Sequence, residues 1–69
     1  MNVRYIGHAK QRMKQRAITE LEVEHVLEHP TAIIKKFDGR QEAVGEANNR
    51  EIHVIFVAEE NYIKVITVM

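Results

Sequence analysis

The chain has 69 residues and a mass of 8.0 kDa, so it holds one domain, near the small end of what folds unaided. It has no cysteine, which excludes a disulfide framework, and its 45% apolar content excludes a disordered tail. Its 10 Lys and Arg balance 10 Asp and Glu, which excludes a uniformly basic nucleic-acid binder but allows a local basic patch.

The charges are segregated. Residues 1–17 hold Arg4, Lys10, Arg12, Lys14 and Arg16 and no acid, whereas residues 18–30 hold Glu20, Glu22, Glu24 and Glu28 and no Lys or Arg. No apolar run approaches the roughly 20 residues of a membrane span, and the amino terminus has no signal-peptide core. A cytoplasmic chain without membrane contact is therefore expected. A core this small adds only a few kcal/mol of net stability, so a homodimer or a partner chain is also expected to support it.

In chain order, the spacing predicts a first helix over 7–17, with Ile6, Ala9, Met13 and Ala17 as its apolar stripe. A second helix opens on a capping box, Thr19 with Glu22 three residues later, and stops before Pro30. Leu21, Val23, Val26 and Leu27 form its buried stripe, and the short link at Ile18 makes the two helices a hairpin. From Thr31 the hydrophobic period changes to two. Strands are expected at about 31–37, 41–47, 50–58 and 62–69, separated by Asp38-Gly39, Asn48-Asn49 and Glu60-Asn61. Links this short join antiparallel neighbours, so the expected fold is α+β: a helical hairpin on a four-stranded antiparallel meander. Gly45 reads as a strand irregularity. In the last two strands, Ile55 and Val57 oppose Ile52, Val54 and Phe56, while Ile66 and Val68 oppose Ile63 and Val65. Apolar residues on both faces leave one face for a partner.

The most informative row is His8, Arg12 and Arg16. A helix turns about 100° per residue, so these three span an arc of about 80° beside the core seam. Guanidinium forks match phosphate oxygens, and an imidazole exchanges a proton near neutral pH. In metal-free RNA cleavage one such group takes the 2′-hydroxyl proton while cations stabilise the phosphorane. The competing reading pairs Arg12 and Arg16 with glutamates of the second helix or has them cap sheet carbonyls, with His8 a plain N-terminal helix residue. His25, Glu28 and His29 spell H-x-x-E-H, but that motif overlaps the helix end and lacks a third ligand, so no metal or other cofactor is expected. His53 faces away from Ile52 and Val54, where Arg40, Arg50, Lys64 or Thr67 would join it according to register. The aromatics form no stacking platform, no glycine loop cradles phosphate, and the absence of Ser and Cys excludes a Ser or Cys nucleophile.

The run H-A-K-Q-R-M-K-Q-R-A-I-T, followed by Val23, Leu27 and Pro30, resembles the bacterial family called domain of unknown function 4258. Gly45, the stretch Asn49–Val54 and the closing Val65-Ile66-Thr67-Val68 resemble its second half. That family looks related to the RelE and BrnT toxins, small metal-independent ribonucleases held inactive by an antitoxin. The resemblance implies a catalytic set of His8, Arg12, Arg16 and His53, with Lys10, Arg50 and Thr67 contacting RNA. It implies RNA and an antitoxin-like protein as partners. The neutral charge departs from the strongly basic balance common among ribosome-dependent RelE-like enzymes. The alternative expectation is a non-catalytic interaction domain that uses its open sheet face.

Overall fold

A computed structural model describes residues 1–69. The elements are β1 (Val3–Tyr5), α1 (Gly7–Arg16), α2 (Glu20–Glu28), β2 (Ala32–Lys35), β3 (Arg40–Ala47), β4 (Arg50–Ala58) and β5 (Ile63–Val68). The strands form one open sheet in the order β1-β5-β4-β3-β2. All pairs are antiparallel except β1 with β5. The α+β class, two helices and the antiparallel meander of β2 to β5 match the expectation. The sheet has five strands rather than four, and it is mixed. Val3–Tyr5 is too short to show a hydrophobic period, yet it pairs in register with Ile63–Val65 and fills the edge beside β5.

Ala9 and Met13 bury one side of α1. The helix closes at Ala17, which takes a left-handed φ of 53°, while the Ile18 N–H donates to the Met13 carbonyl at 2.8 Å. At α2 the capping box forms as expected. Thr19 Oγ1 accepts from the Glu22 N–H at 3.1 Å, and Glu22 Oε1 accepts from the Thr19 N–H at 2.9 Å. One expectation fails here: Leu21 is 79% exposed, and its neighbour Glu22 is the buried residue. The capping geometry turns Glu22 inward, and the 100° step then carries Leu21 outward.

The β3–β4 turn has positive φ at both Asn48 and Asn49, the pattern of a two-residue hairpin loop. Asp38 and Gly39 likewise take positive φ between β2 and β3. Strand β2 is shorter than the expected 31–37.

The core joins Ala9, Met13, Ile18, Val23 and Val26 to Ala43, Ile52, Val54, Phe56, Val65 and Val68 of the sheet. Val68 belongs to this helix-covered face, not to the open one. Ile55 pairs with Thr67 but Phe56 pairs with Val65, so Ile66 is an extra residue in β5 and the alternation flips beyond it. The irregularity therefore lies at Ile66, whereas Gly45 sits in regular register opposite Ile52. A Cβ at Gly45 would lie 3.2 Å from Val26 Cγ1, so glycine here lets α2 pack against β3.

Candidate nucleic-acid interface

Helix α1 packs mainly over β5 and touches β1, while α2 covers β3 and β4. His8, Lys10 and Arg16 are exposed and Arg12 is half-buried. None of the three arginine and histidine residues of the α1 row forms an ion pair, and neither do Arg4, Lys10 or Lys14. The cations that are paired belong to later segments: Lys36 with Glu42, Arg50 with Glu22, and Lys64 with Glu59. The pairing of Arg12 and Arg16 with α2 glutamates does not form. Arg4 instead stacks over the Tyr62 ring, 4.2 Å from its centroid.

Arg50 occupies a different setting. Its guanidinium donates to the Arg16 carbonyl at 2.9 Å, to the Ala17 carbonyl, and to Glu22 Oε1 at 3.0 Å. It thus closes the carbonyl end of α1, where a cation also complements the helix dipole. Glu22 receives in addition the Asn48 amide at 2.7 Å. Donation from the Thr19 backbone, then from Asn48, with Arg50 adding to both, holds the Glu22 carboxyl down to about 2.

His53 and Thr67 lie on the opposite face of the sheet from the helices, so they do not converge with His8, Arg12 and Arg16. The imidazole bridges two carboxylates, with Nδ1 2.6 Å from Glu42 Oε2 and Nε2 2.7 Å from Glu51 Oε2. Glu42 also receives Lys36 Nζ at 3.1 Å. Hydrogen bonding to Glu42, then to Glu51, raises the His53 pKa above its ordinary range. His53, then Lys36, lowers that of Glu42. Sequence reasoning missed Glu42. The Asn48-Asn49 loop pairs Ala47 with Arg50 and so fixes Val44 opposite His53, with Glu42 diagonal to it. Around this chain of charges the open face is apolar, with Val44, Ile55, Val57 and Ile66 half-buried and Ile34 45% exposed. Nearer the β5 start, Arg4, Lys64, Val57 and Arg40 align across four strands.

Two surface hollows exist. One, of about 370 Å³, is lined by Thr19, Leu21, Glu22, His25, Ala47 and Asn48. The other, of about 320 Å³, is lined by Lys36, Phe37, Asp38, Arg40 and Ile55. Neither includes His8, Arg12 or Arg16. The His25 and His29 rings lie tilted by 43° with centroids 5.1 Å apart, and no three His, Asp or Glu side chains converge in a metal-binding arrangement.

The model of the family described as Domain of unknown function (DUF4258) matches residues 5–69. The chain belongs to the DUF4258 family. The match begins at Tyr5 and so takes in both helices and all of β2 to β5 of this DUF4258 domain. No curated protein and no solved structure matches it.

Proposed function

We propose that this DUF4258 domain is a toxin-type RNA-binding domain, related to the RelE and BrnT toxins, whose α1 face grips the phosphodiester backbone. The observation that carries the reading is the set of free cations. Lys10, Arg12, Lys14 and Arg16 of α1 have no internal carboxylate partner, although 10 acids are available in the chain. Cations left unpaired on one segment are available to phosphate oxygens, and each one bound to RNA releases a counterion. Arg12 and Arg16 serve as the phosphate clamp, and Lys10 extends the contact.

In the enzymatic form of this proposal His8 is the proton-transfer group. It takes the 2′-hydroxyl proton, O2′ attacks phosphorus, the P–O5′ bond breaks, and the leaving oxygen collects a proton from water. The two guanidinium groups stabilise the charge that builds on the phosphorane, an effect worth about 10²–10³-fold per positioned donor. His53 stands on the other face, held between two carboxylates, and takes no part in that step.

Expression in a bacterial host tests the reading. Growth arrest that is relieved by His8→Ala and Arg12→Ala, in variants that keep their thermal midpoint, supports the ribonuclease. RNA binding that survives His8→Ala without any cleavage by the unaltered chain leaves a binding domain only. Equal arrest by all variants sinks the α1 assignment. Cleavage should also persist in EDTA.

A second reading rests on a separate observation, the uncovered apolar face formed by Val44, Ile55, Val57 and Ile66. On that reading the domain binds a protein there, as an antitoxin-like partner would.

A further inference from the structure

The outer edge of β2 has no neighbour, because β2 ends the sheet. Every residue of Ala32–Lys35 is exposed. Its register with β3 settles which backbone groups are free. Ala32 pairs with Val44 and Ile34 with Glu42, and the Lys36 N–H donates to the Arg40 carbonyl at 2.8 Å in the same register. Hydrogen-bonded and non-bonded pairs alternate along an antiparallel ladder. Ala32 and Ile34 therefore turn their N–H and C=O toward β3, and Ile33 and Lys35 turn theirs outward. Beside these groups stand Ile33 and Ile34, each 45% exposed, and Phe37 at 88%. The edge is short and its one charge is Lys35, the residue type that commonly guards an edge, so only a register that sets this lysine opposite a neutral residue can pair here.

We propose that the occupant is a second copy of this chain, joined antiparallel, β2 to β2, about a two-fold axis through Ile34. Three symmetric registers bring outward groups together, and the sequence selects one. Centring on Ile33 sets Lys35 opposite Thr31, whose N–H is already donated to the Val44 carbonyl at 2.7 Å. Centring on Lys35 sets lysine against lysine, a destabilising like-charge pair. Centring on Ile34 sets Ile33 opposite Lys35, and the hydrogen bonds between them use every outward N–H and C=O of both copies. In that register Ile34 meets Ile34, Ala32 meets Lys36, and Phe37 reaches the partner's end of β2 at Thr31. No charge faces a like charge.

The result is an isologous dimer with one continuous ten-stranded sheet, five strands from each copy. Both helical layers lie on one side, and the two open faces run together across the Ile34 pair. The α1 faces stay exposed, because α1 packs over β5 and β1, far from β2 in the sheet order. The dimer is thus independent of whether α1 binds RNA.

The absence of cysteine makes the test direct. Ile34→Cys installs a single thiol, and opposed residues of a non-bonded antiparallel pair have Cα atoms about 4.5 Å apart, within disulfide reach. Under mild oxidation Ile34→Cys should cross-link at least 10-fold faster than Ile33→Cys, which lies opposite Lys35. Ile34→Lys and Ile34→Glu should each sediment as monomers, and a 1:1 mixture should recover the dimer. The unaltered chain should show a dimer fraction that rises with concentration. A chain that stays monomeric up to about 1 mM, the weak end of specific association, overturns the proposal. So does a dimer that persists in both charged variants or that cross-links equally well through Ile33→Cys.

Discussion

The Arg50 guanidinium donates to the backbone carbonyl of Arg16 at 2.9 Å, so the first residue of β4 closes the last turn of α1. The same group reaches Ala17 and Glu22, which links helix end, helix start and sheet through one side chain. Removing it takes the guanidinium donors from the Arg16 and Ala17 carbonyls and the cation from Glu22. Arg50→Ala should cost about 1.5–3 kcal/mol in urea unfolding, the range for hydrogen bonds to charged groups. Arg50→Lys should recover little, because a point charge cannot reproduce the planar fork. Unchanged stability in Arg50→Ala would show that water replaces these bonds without loss.

Acid and alkaline destabilisation should have different owners. Glu22 is depressed to about 2 from an ordinary 4.5, so its contribution is complete above about pH 4.5 and is lost as pH falls toward about 2. His53 is raised above an ordinary 6.5, so its contribution is complete below that value and is lost as pH rises through the folded-state pKa. Stability from these two groups should therefore be greatest between about pH 4.5 and 6.5. Glu22→Gln should flatten the acid side of the profile and His53→Gln the alkaline side, as read by urea midpoints. In an imidazole NMR titration, Glu42→Gln should lower the His53 midpoint more than Glu51→Gln does, because Glu42 is the stronger and more buried partner.

Tyr5 has a hydroxyl oxygen sealed from solvent with no hydrogen-bond partner. Burial first, and then the charges of Glu20 and Glu24, push its phenol up to about 12. An unsatisfied buried hydroxyl costs about 1–3 kcal/mol, so Tyr5→Phe should raise stability, by about 1 kcal/mol. A loss of stability in that variant would mean the hydroxyl is bonded after all. Ultraviolet titration should show the Tyr5 phenol ionising near 12.

Gly45 offers a test of the helix–sheet contact. The added methyl of Gly45→Ala would lie 3.2 and 3.4 Å from the two Val26 methyl carbons and 3.5 Å from the His29 carbonyl oxygen. Val26 is fully buried, and a β-branched side chain on a helix has essentially one rotamer, so it has little room to yield. Gly45→Ala should cost about 1–3 kcal/mol, in the range of overpacked cores. In a Val26→Ala background that cost should disappear, giving a coupling above about 0.5 kcal/mol.

What the sequence discloses depends on whether a residue's environment is local. The Thr19–Glu22 box and the Asn48-Asn49 turn are decided within four residues, and both form where the sequence places them. The alternation Ile52, Val54, Phe56 against Ile55, Val57 gives the strand locally, but both sets are apolar, so only the placement of the helices shows that the first set is buried. Three features need long-range information. Val3–Tyr5 becomes a strand only because β5 offers a free edge, and no three-residue pattern announces that. Ile66 is an ordinary β-branched residue whose extra place in β5 follows from pairing, and it moves Val68 into the core. Glu42 meets His53 diagonally, a contact legible only once the Asn48-Asn49 loop is taken to fix the register. For the candidate site, the alignment of His8, Arg12 and Arg16 on α1 follows from helical spacing, whereas their freedom from the α2 glutamates depends on how the two helices sit on the sheet. The separation of His53 from that row depends on which sheet face the helices cover, and Arg50's role as a cap depends on where α1 ends.

The α1 interface makes a prediction in salt. If Arg12 and Arg16 each neutralise one phosphate of a single-stranded RNA, log K should fall linearly with log salt, and each contact should add about 0.7 to the slope. Arg12→Ala and Arg16→Ala should then each weaken binding at low salt and each flatten the slope by about 0.7. Arg50→Lys, tested at a temperature where it is folded, should leave the slope unchanged, because its charge is retained and its donors point into the chain. Filter binding between about 50 and 200 mM salt is sufficient to read these differences. A slope that does not respond to either α1 substitution would place the RNA elsewhere, and the cationic line of Arg4, Lys64 and Arg40 on the open sheet face would then be the next surface to mutate.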